Sequence, residues 1–460
     1  MYPIGRGQRE GSLSPPNIHP FTVGPRHRTC CAWGTAADDL LAMTFLPQGA
    51  RAMSKKSCAA SPADLRGLGK GVDGLDDHYD LVIVGAGLSG GVIAERAANE
   101  LGLKSLIIDK RDHIGGNCYD FIGDHGLRVS KYGVHLFHTK FPRVWEYVNR
   151  FSDWMPYEHR VKGTVDGKIV PIPPCRTTMN MLYDANVHTE EEAEAWLNAR
   201  RVVNENPQNG EEAALTRAGP ELYDAIFKHY TKKQWDKYPE ELDASVLLRI
   251  PVRTNDDDRY FTDEHQALPS SGYTTIFENM YMNNPLITIR LDTDFFAVRE
   301  KLPKHDLLVF TGPIDAYYAS LGMPKLEYRS LQFVEEFHEA PEGGFYQPCL
   351  QLNYPGPDVP FTRIVEYKHK PNQPEAAKAA PGTVIFKEFS VDDGDPYYPV
   401  PNPANQQLYE KYKAMAEKEE GVAFVGRLAS YKYFNMDQAI LNALEMFDDL
   451  VKDKRIAKKA

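Results

Sequence analysis

Cysteine is scarce in this 460-residue chain. The six present (Cys30, Cys31, Cys58, Cys118, Cys175 and Cys349) follow no pairing rhythm. None stands in a CxxC, and none has a histidine at zinc-ligand spacing. A disulfide scaffold and a zinc module are thereby excluded, and no metal is expected. Free thiols fit the reducing cytosol. Long apolar runs are missing as well. A membrane span needs about 20 such residues, so no membrane insertion is expected. Positive charge is in deficit, with a net charge of -11. That argues against non-specific binding to nucleic acid or anionic membrane. An anionic ligand must therefore meet locally placed arginines, because the overall field repels it. Internal repeats are also absent.

What remains is ordinary globular composition, 42% apolar and 25% charged. The length implies two or three packed domains. The first 75 residues stand apart: rich in Gly, Pro, Ser and Ala, they carry nine Lys/Arg against five Asp/Glu. Residues 1–76 are expected to be a disordered leader without a catalytic role. An organelle transit peptide is opposed by Asp38, Asp39 and Asp64. Translation from Met53 is a second possibility.

Tyr79–Val84 is an apolar run that ends at glycine and reads as a buried parallel strand. Gly85-Ala86-Gly87-Leu88-Ser89-Gly90 follows, and then a helical pattern to Leu101. Ser105–Ile108 reads as a second strand, and Asp109 stands nineteen residues after Gly90. Together these form a dinucleotide fingerprint in its proper context. Gly85 permits the tight turn, Gly87 lets backbone approach a pyrophosphate, and Gly90 lets helix and strand pack closely. The helix N-terminus offers free N–H groups to phosphate, and Asp109 would accept from ribose hydroxyls. A second glycine pair, Gly115-Gly116, follows at once, which resembles the large flavoprotein class and favours FAD over NAD. Asp306–Gly312 and Val422–Gly426 read as further strands of the same domain. A helix follows with Ile440, Leu444, Phe447 and Val451 on one stripe and Leu441 beside it. Asn435 to Gln438 looks like its capping box; the helix N-terminus could face a flavin, but an ordinary cap on a surface helix is the better reading.

Other segments admit two readings. His135 and His138, three apart, are more often satisfied core histidines than ligands. Tyr230 and Trp235 could stack on a base or simply pack. Arg249 and Arg363 each sit beside apolar residues, and a half-buried arginine needs an anion. A structural salt bridge and a phosphate both answer that need.

Taken in order, the segments KYGVHLFHT, YTKKQW, RIPVR, YFTDEHQALPSSGYT, FTGPID, LEYRSL, TRIVEYKH, DPYYPV and GRLASYKYFNM closely resemble the bacterial-type UDP-galactopyranose mutase family. The resemblance runs from about Tyr79 to Leu450. It implies interconversion of UDP-galactopyranose and UDP-galactofuranose without net redox change, supplying galactofuranose for glycan synthesis. It implies reduced FAD, whose N5 attacks the anomeric carbon while UDP leaves and returns through an opened flavin–sugar iminium. It implies that Arg249 and Arg363 grip the diphosphate, helped by hydroxyls of Tyr398 and Tyr433. Tyr260 would stack on uracil near His159, Ile226 and Phe227. Tyr230, Thr231 and Trp235 would lie near nucleotide or sugar, and Asn353 and Asn435 would touch substrate. His138 is implied as catalytic. Around the flavin, the resemblance places Leu88, Ser89, Lys110, Gly116, Asn117, His135, Leu136, Arg427, Tyr433, Asn435, Met436 and Gln438 beside the fingerprint residues. Two departures stand out. Asn435 replaces an Asp carried by some members, and Asp109 stands where Glu is common.

The expected fold is α/β, a discontinuous Rossmann-like FAD domain with an inserted helical domain and an antiparallel sheet domain. The FAD domain is drawn from 77–158, 251–325 and 401–455, with a sheet segment at 159–175. The helical substrate domain covers 176–250, and the sheet domain covers 326–400. A mobile loop is expected near Leu247 to Arg259, ending in the acidic run Asn255–Asp258. The partners implied are the two UDP-sugars, a reductant for the flavin and a second copy as a homodimer, with no nucleic acid, in the cytoplasm or in an organelle addressed by the leader. Two rival readings are an amine-oxidase-type oxidoreductase, which would lack the diphosphate arginines, and a non-catalytic escort protein of the same fold, which would tolerate loss of the flavin contacts.

Overall fold

The computed structural model describes residues 68–281, 284–339 and 344–459. A six-stranded, wholly parallel sheet lies at its base. In spatial order its strands are Gly69–Lys70, Ile287–Leu291, Ser105–Ile108, His78–Val84, Lys304–Phe310 and Val422–Phe424. Leu81, Val82, Ile83, Leu106, Ile107 and Ile108 have no exposed surface, as expected of strands covered on both faces. Helix Leu88–Leu101 crosses between His78–Val84 and Ser105–Ile108, and it ends at Gly102 in the left-handed region. Helix Met436–Lys452 packs beside it through Ile440, Ala443, Leu444 and Phe447. The apolar stripe ends on buried Leu450 rather than on Val451, which is 37% exposed. At 3.6 residues per turn the stripe drifts, and Leu450 takes the inward position.

The leader boundary moves. Residues 1–67 lie outside the described residues, but Gly69–Lys70 already pairs with Arg290 and Leu291 at the sheet edge. A second sheet has seven strands, with Thr383–Val391 between Tyr328–His338 and Arg363–Glu366. It also takes up Val161–Val165 and Lys168–Ile172 from the 159–175 segment. This sheet is mixed rather than purely antiparallel, because Gln351–Asn353 runs parallel to Val161–Val165. Likewise His265–Pro269 joins a three-stranded sheet with Phe137–Thr139 and Trp154–Pro156 instead of the parallel sheet. The helical insert is tied to the second sheet. Lys233 Nζ donates to the carbonyls of Tyr354 and Phe361, at 2.5 and 3.1 Å, and Ser390 Oγ donates to the Gln234 carbonyl at 2.6 Å.

The acidic run is not a free loop tip. Asp256 accepts from Arg176 and Thr177, Asp258 from Arg160, and Asp257 from Arg259. The Arg253 amide donates to Pro174, and the Tyr260 amide to His159. Each carboxylate answers an arginine that is distant in sequence or adjacent across the turn.

Glu95 is the carboxylate most deeply set in the first helix, with no exposure. Tyr147 Oη, Asn99 Nδ2 and the guanidiniums of Arg96 and Arg150 all donate to it. Burial pushes its pKa up, but the Arg96 and Asn99 hydrogen bonds and the nearby cations outweigh this and hold it below the usual glutamate range. Glu95→Ala is expected to lower stability by about 3 kcal/mol, because it breaks a buried charge network. Arg143→Ala, which loses only an exposed pair with Asp448, should cost less than about 1 kcal/mol. The Glu95 contribution is complete above the ordinary glutamate pKa and is lost as pH falls through the lower folded value. Urea unfolding of both variants at neutral and acidic pH measures the difference.

Candidate active site

Two adjoining cavities meet at Asn117, His135, Tyr397, Arg427, Asn435 and Met436. The first, about 520 Å³, is lined by the glycine turn and the start of the last helix. Gly85, Gly87, Leu88, Ser89, Asp109, Lys110 and Gly116 all face it. Gly85 has φ +111°, and a Cβ there would stand 2.2 Å from Thr311 Oγ1. Gly90 is not on the lining; a Cβ on it would stand 2.1 Å from the Gly85 carbonyl oxygen. The Cα atoms of Gly87 and Gly116 face each other so closely that a Cβ on Gly116 would stand 2.8 Å from the former. A bare backbone cradle at a helix N-terminus suits a pyrophosphate. Asp109 also does something the sequence did not announce. Its carboxylate accepts from the amides of Ala86 and Arg111, at 2.8 and 2.9 Å, so it braces the turn itself. A carboxylate has further lone pairs for a ribose. Lys110 and Arg111 are both paired to Asp395.

The second cavity, about 630 Å³, gathers the arginines. Arg249, Arg363, Tyr260, Tyr398, Tyr433, His138, His159, Leu136 and Gln438 line it. Arg363 lies directly opposite Glu388 across two strands and is ion-paired to it. Glu388 is 1% exposed. Burial pulls the Arg363 pKa down, but Glu388 outweighs that and keeps the group firmly charged. Its Nε is buried and has no hydrogen-bond partner among the described residues. Arg249 pairs with no carboxylate among the described residues; its guanidinium lies 4.2 Å from the Tyr433 ring centre. Arg427 lies 5.4 Å from the same ring and donates to the Tyr397 carbonyl. Tyr433 and Tyr398 stack at 5.1 Å. Burial drives the Tyr398 hydroxyl pKa up. At Tyr433 burial also pushes upward, but Arg249, Arg427 and Arg363 pull harder and lower it. Burial brings the pKa of half-buried His135 down to about 4 and that of His159 to about 3, which leaves both uncharged at neutral pH.

Several expected contacts stand behind the wall. Ile226, Phe227, Thr231 and Trp235 are buried and do not line the cavity. Trp235 packs against the rings of Tyr433 and Tyr398, at 6.0 and 6.3 Å. Half-buried Tyr230 is near Arg363, Tyr260 and Tyr433, and burial raises its hydroxyl pKa. Asn353 reaches the cavity only through Gln351, whose amide donates to its Oδ1 at 3.0 Å. Asn435 caps the last helix, its amide bound to Gln438 Oε1 at 2.9 Å. The structure adds residues that sequence reasoning missed: Glu388, Gln351, Tyr397, Phe261 and Asp263. Phe261 and Asp263 belong to the YFTDEHQALPSSGYT segment and could have been singled out there. Glu388 carried no local signal.

A family model described as UDP-galactopyranose mutase matches residues 225–433, and one described as an NAD(P)-binding Rossmann-like domain matches 83–151. A probable UDP-galactopyranose mutase of Klebsiella pneumoniae is 40% identical over 382 residues, 82% of this chain and 95% of its own. A dTDP-fucopyranose mutase of Escherichia coli is 38% identical over 384 residues, 82% of this chain and 99% of its own. Among solved structures, a reduced UDP-galactopyranose mutase superimposes with a TM-score of 0.63 at 18% identity, covering 81% of this chain and 93% of that one.

Gly90→Ala should yield protein without bound dinucleotide, because the new methyl meets backbone rather than a movable side chain. Gly123→Ala, whose nearest neighbour would be 3.5 Å away, should retain it. Absorbance of nucleotide released by heat from the purified variants reads the outcome.

Proposed function

The chain belongs to the UDP-galactopyranose mutase family, and from that premise we propose that it interconverts UDP-galactopyranose and UDP-galactofuranose with reduced FAD as cofactor. The observation that carries this reading is the arginine-lined cavity opening directly onto the dinucleotide cavity. A hydride-transferring oxidoreductase has no need of cations clustered there. An acidic chain that handles a nucleotide diphosphate does. When bound, the reduced flavin supplies a nucleophilic nitrogen, N5, at the anomeric carbon.

The chain's own residues do the rest. Arg249 and Arg363 hold the diphosphate, and their charge stabilises UDP as it separates from the sugar. Tyr433 and Tyr398 donate hydroxyl hydrogen bonds to the same phosphates. The lowered pKa of Tyr433 makes it the stronger donor. Tyr260, beside His159 at 5.8 Å between ring centres, covers the uracil. Arg427, His135 and the N-terminus of the last helix flank the flavin, and that positive helix end favours the anionic reduced form. The apolar layer of Trp235, Phe227 and Ile226 keeps the wall dry and rigid, which limits water at the reacting carbon. The product would feed galactofuranose into glycans, in the cytoplasm, from a homodimer kept reduced by a cellular donor.

Purified protein reduced with dithionite should convert UDP-galactofuranose to UDP-galactopyranose, followed by anion-exchange chromatography. Oxidised protein should not. No conversion by the reduced protein would overturn the proposal. dTDP-fucofuranose, tested in parallel because of the Escherichia coli relative, should be the poorer substrate. Faster turnover of it would reassign the sugar nucleotide. Arg249→Ala should lower kcat/KM about 100-fold with full FAD content, since Arg249 lines only the second cavity.

A further inference from the structure

His138 is held unlike the other cavity histidines. It lies on the short strand Phe137–Thr139, opposite Gln266, and is only 7% exposed. Phe261 covers one face of its ring, with centres 3.6 Å apart and planes within 14°. Its Nδ1 is bound to the carboxylate of Asp263, which also lines the cavity. A carboxylate is an acceptor only, so the Nδ1–H donates. The other titratable groups facing the ring are Asp437, on the first turn of the last helix, and His159. Neither is hydrogen-bonded to it. One ring face and one nitrogen are therefore occupied by the protein. Nε2 is the remaining polar atom of a side chain that lines the cavity.

We propose that Asp263 is a positioning residue for His138: in the neutral ring it fixes the Nδ1–H tautomer, and so leaves the lone pair of Nε2 as a hydrogen-bond acceptor for a sugar hydroxyl or a flavin N–H. This rests on the function proposed above for the identity of the ligand, but not for the tautomer. The logic is that of any histidine oriented by a buried carboxylate, where the far nitrogen does the work and the acid sets which nitrogen that is. Phe261 supplies the stacking that stops the ring from flipping. Asp263 and Phe261 thus give a role to a sequence segment otherwise credited only with Tyr260.

The first test is spectroscopic and needs no turnover. Long-range 15N NMR of histidine-labelled full-length protein at pH 8, with His138 assigned by its loss in His138→Gln, should show a protonated Nδ1 and a free Nε2. The opposite tautomer would overturn the proposal. Asp263→Asn is nearly isosteric; its amide N–H can face Nδ1 and should turn the ring to the Nε2–H tautomer. The second test is kinetic. Asp263→Ala and Asp263→Asn should each lower kcat about 100-fold, with KM within about threefold of the parent and FAD content unchanged. The Asp263→Ala/His138→Ala double variant should be no slower than His138→Ala alone. Multiplying effects, or loss of FAD with kcat per bound flavin unchanged, would show a merely structural role. If the parent protein converts no UDP-galactofuranose, the proposed function fails, while the NMR result still decides the tautomer.

Discussion

The pairing of Arg363 with Glu388 is the constraint around which this molecule is arranged. A carboxylate with 1% exposure costs several kcal/mol unless a cation meets it. The sheet supplies that cation by register. Arg363–Glu366 and Thr383–Val391 run antiparallel, with Arg363 directly across from Glu388. Thr362 then fixes the Glu388 backbone, since its amide and its hydroxyl both donate to that carbonyl. On the other side, Asn353 lies opposite Arg363. An arginine so held has little freedom to leave the cavity wall, yet a guanidinium has five donors and one carboxylate oxygen uses few of them. The buried acid thus fixes the cation in place and leaves donors for a second anion. Arg249 complements it. It pairs with no carboxylate among the described residues and rests on Tyr433.

How much of this was legible depends on how far apart the interacting residues lie in the chain. The glycine turn is a local device: Gly85, Gly87 and Gly90 act within one strand–turn–helix, so their spacing alone announces it. The late strand and helix could be read for the same reason. Glu388 acts across a strand pair, 25 residues from Arg363, and Asp263 acts 125 residues from His138. No periodicity encodes such meetings, because they are created by sheet assembly. The same limit explains the sheet called antiparallel. Each strand announced itself, but the parallel pairing of Gln351–Asn353 with Val161–Val165 joins chain segments nearly two hundred residues apart.

Motif matching has a different blind spot. It places residues near a site without distinguishing those that touch a ligand from those that hold the touching residue still. Ile226, Phe227 and Trp235 fall on the supporting side. They fill the layer behind Tyr398 and Tyr433, where a lost methyl or ring shifts a hydroxyl instead of removing a contact. Asp109 shows the same duality within one side chain, since it braces the turn at Ala86 while facing the cavity. The acidic run at Asn255–Asp258 is a third case. Read along the chain it is a charged loop tip; in three dimensions its carboxylates are the clasps that fasten 253–260 to Arg176 and Arg160.

The charge balance of the two cavities follows from the kinds of groups the fold selects. Burial removes charge from histidine far more readily than from arginine, whose ordinary pKa exceeds 12. His135 and His159 are therefore neutral near pH 7, while Arg249 and Arg363 keep their charge. These guanidiniums place local positive charge in a chain whose net charge is -11. At His138 the protein also imposes direction, because Asp263 takes Nδ1 and Phe261 covers one face of the ring.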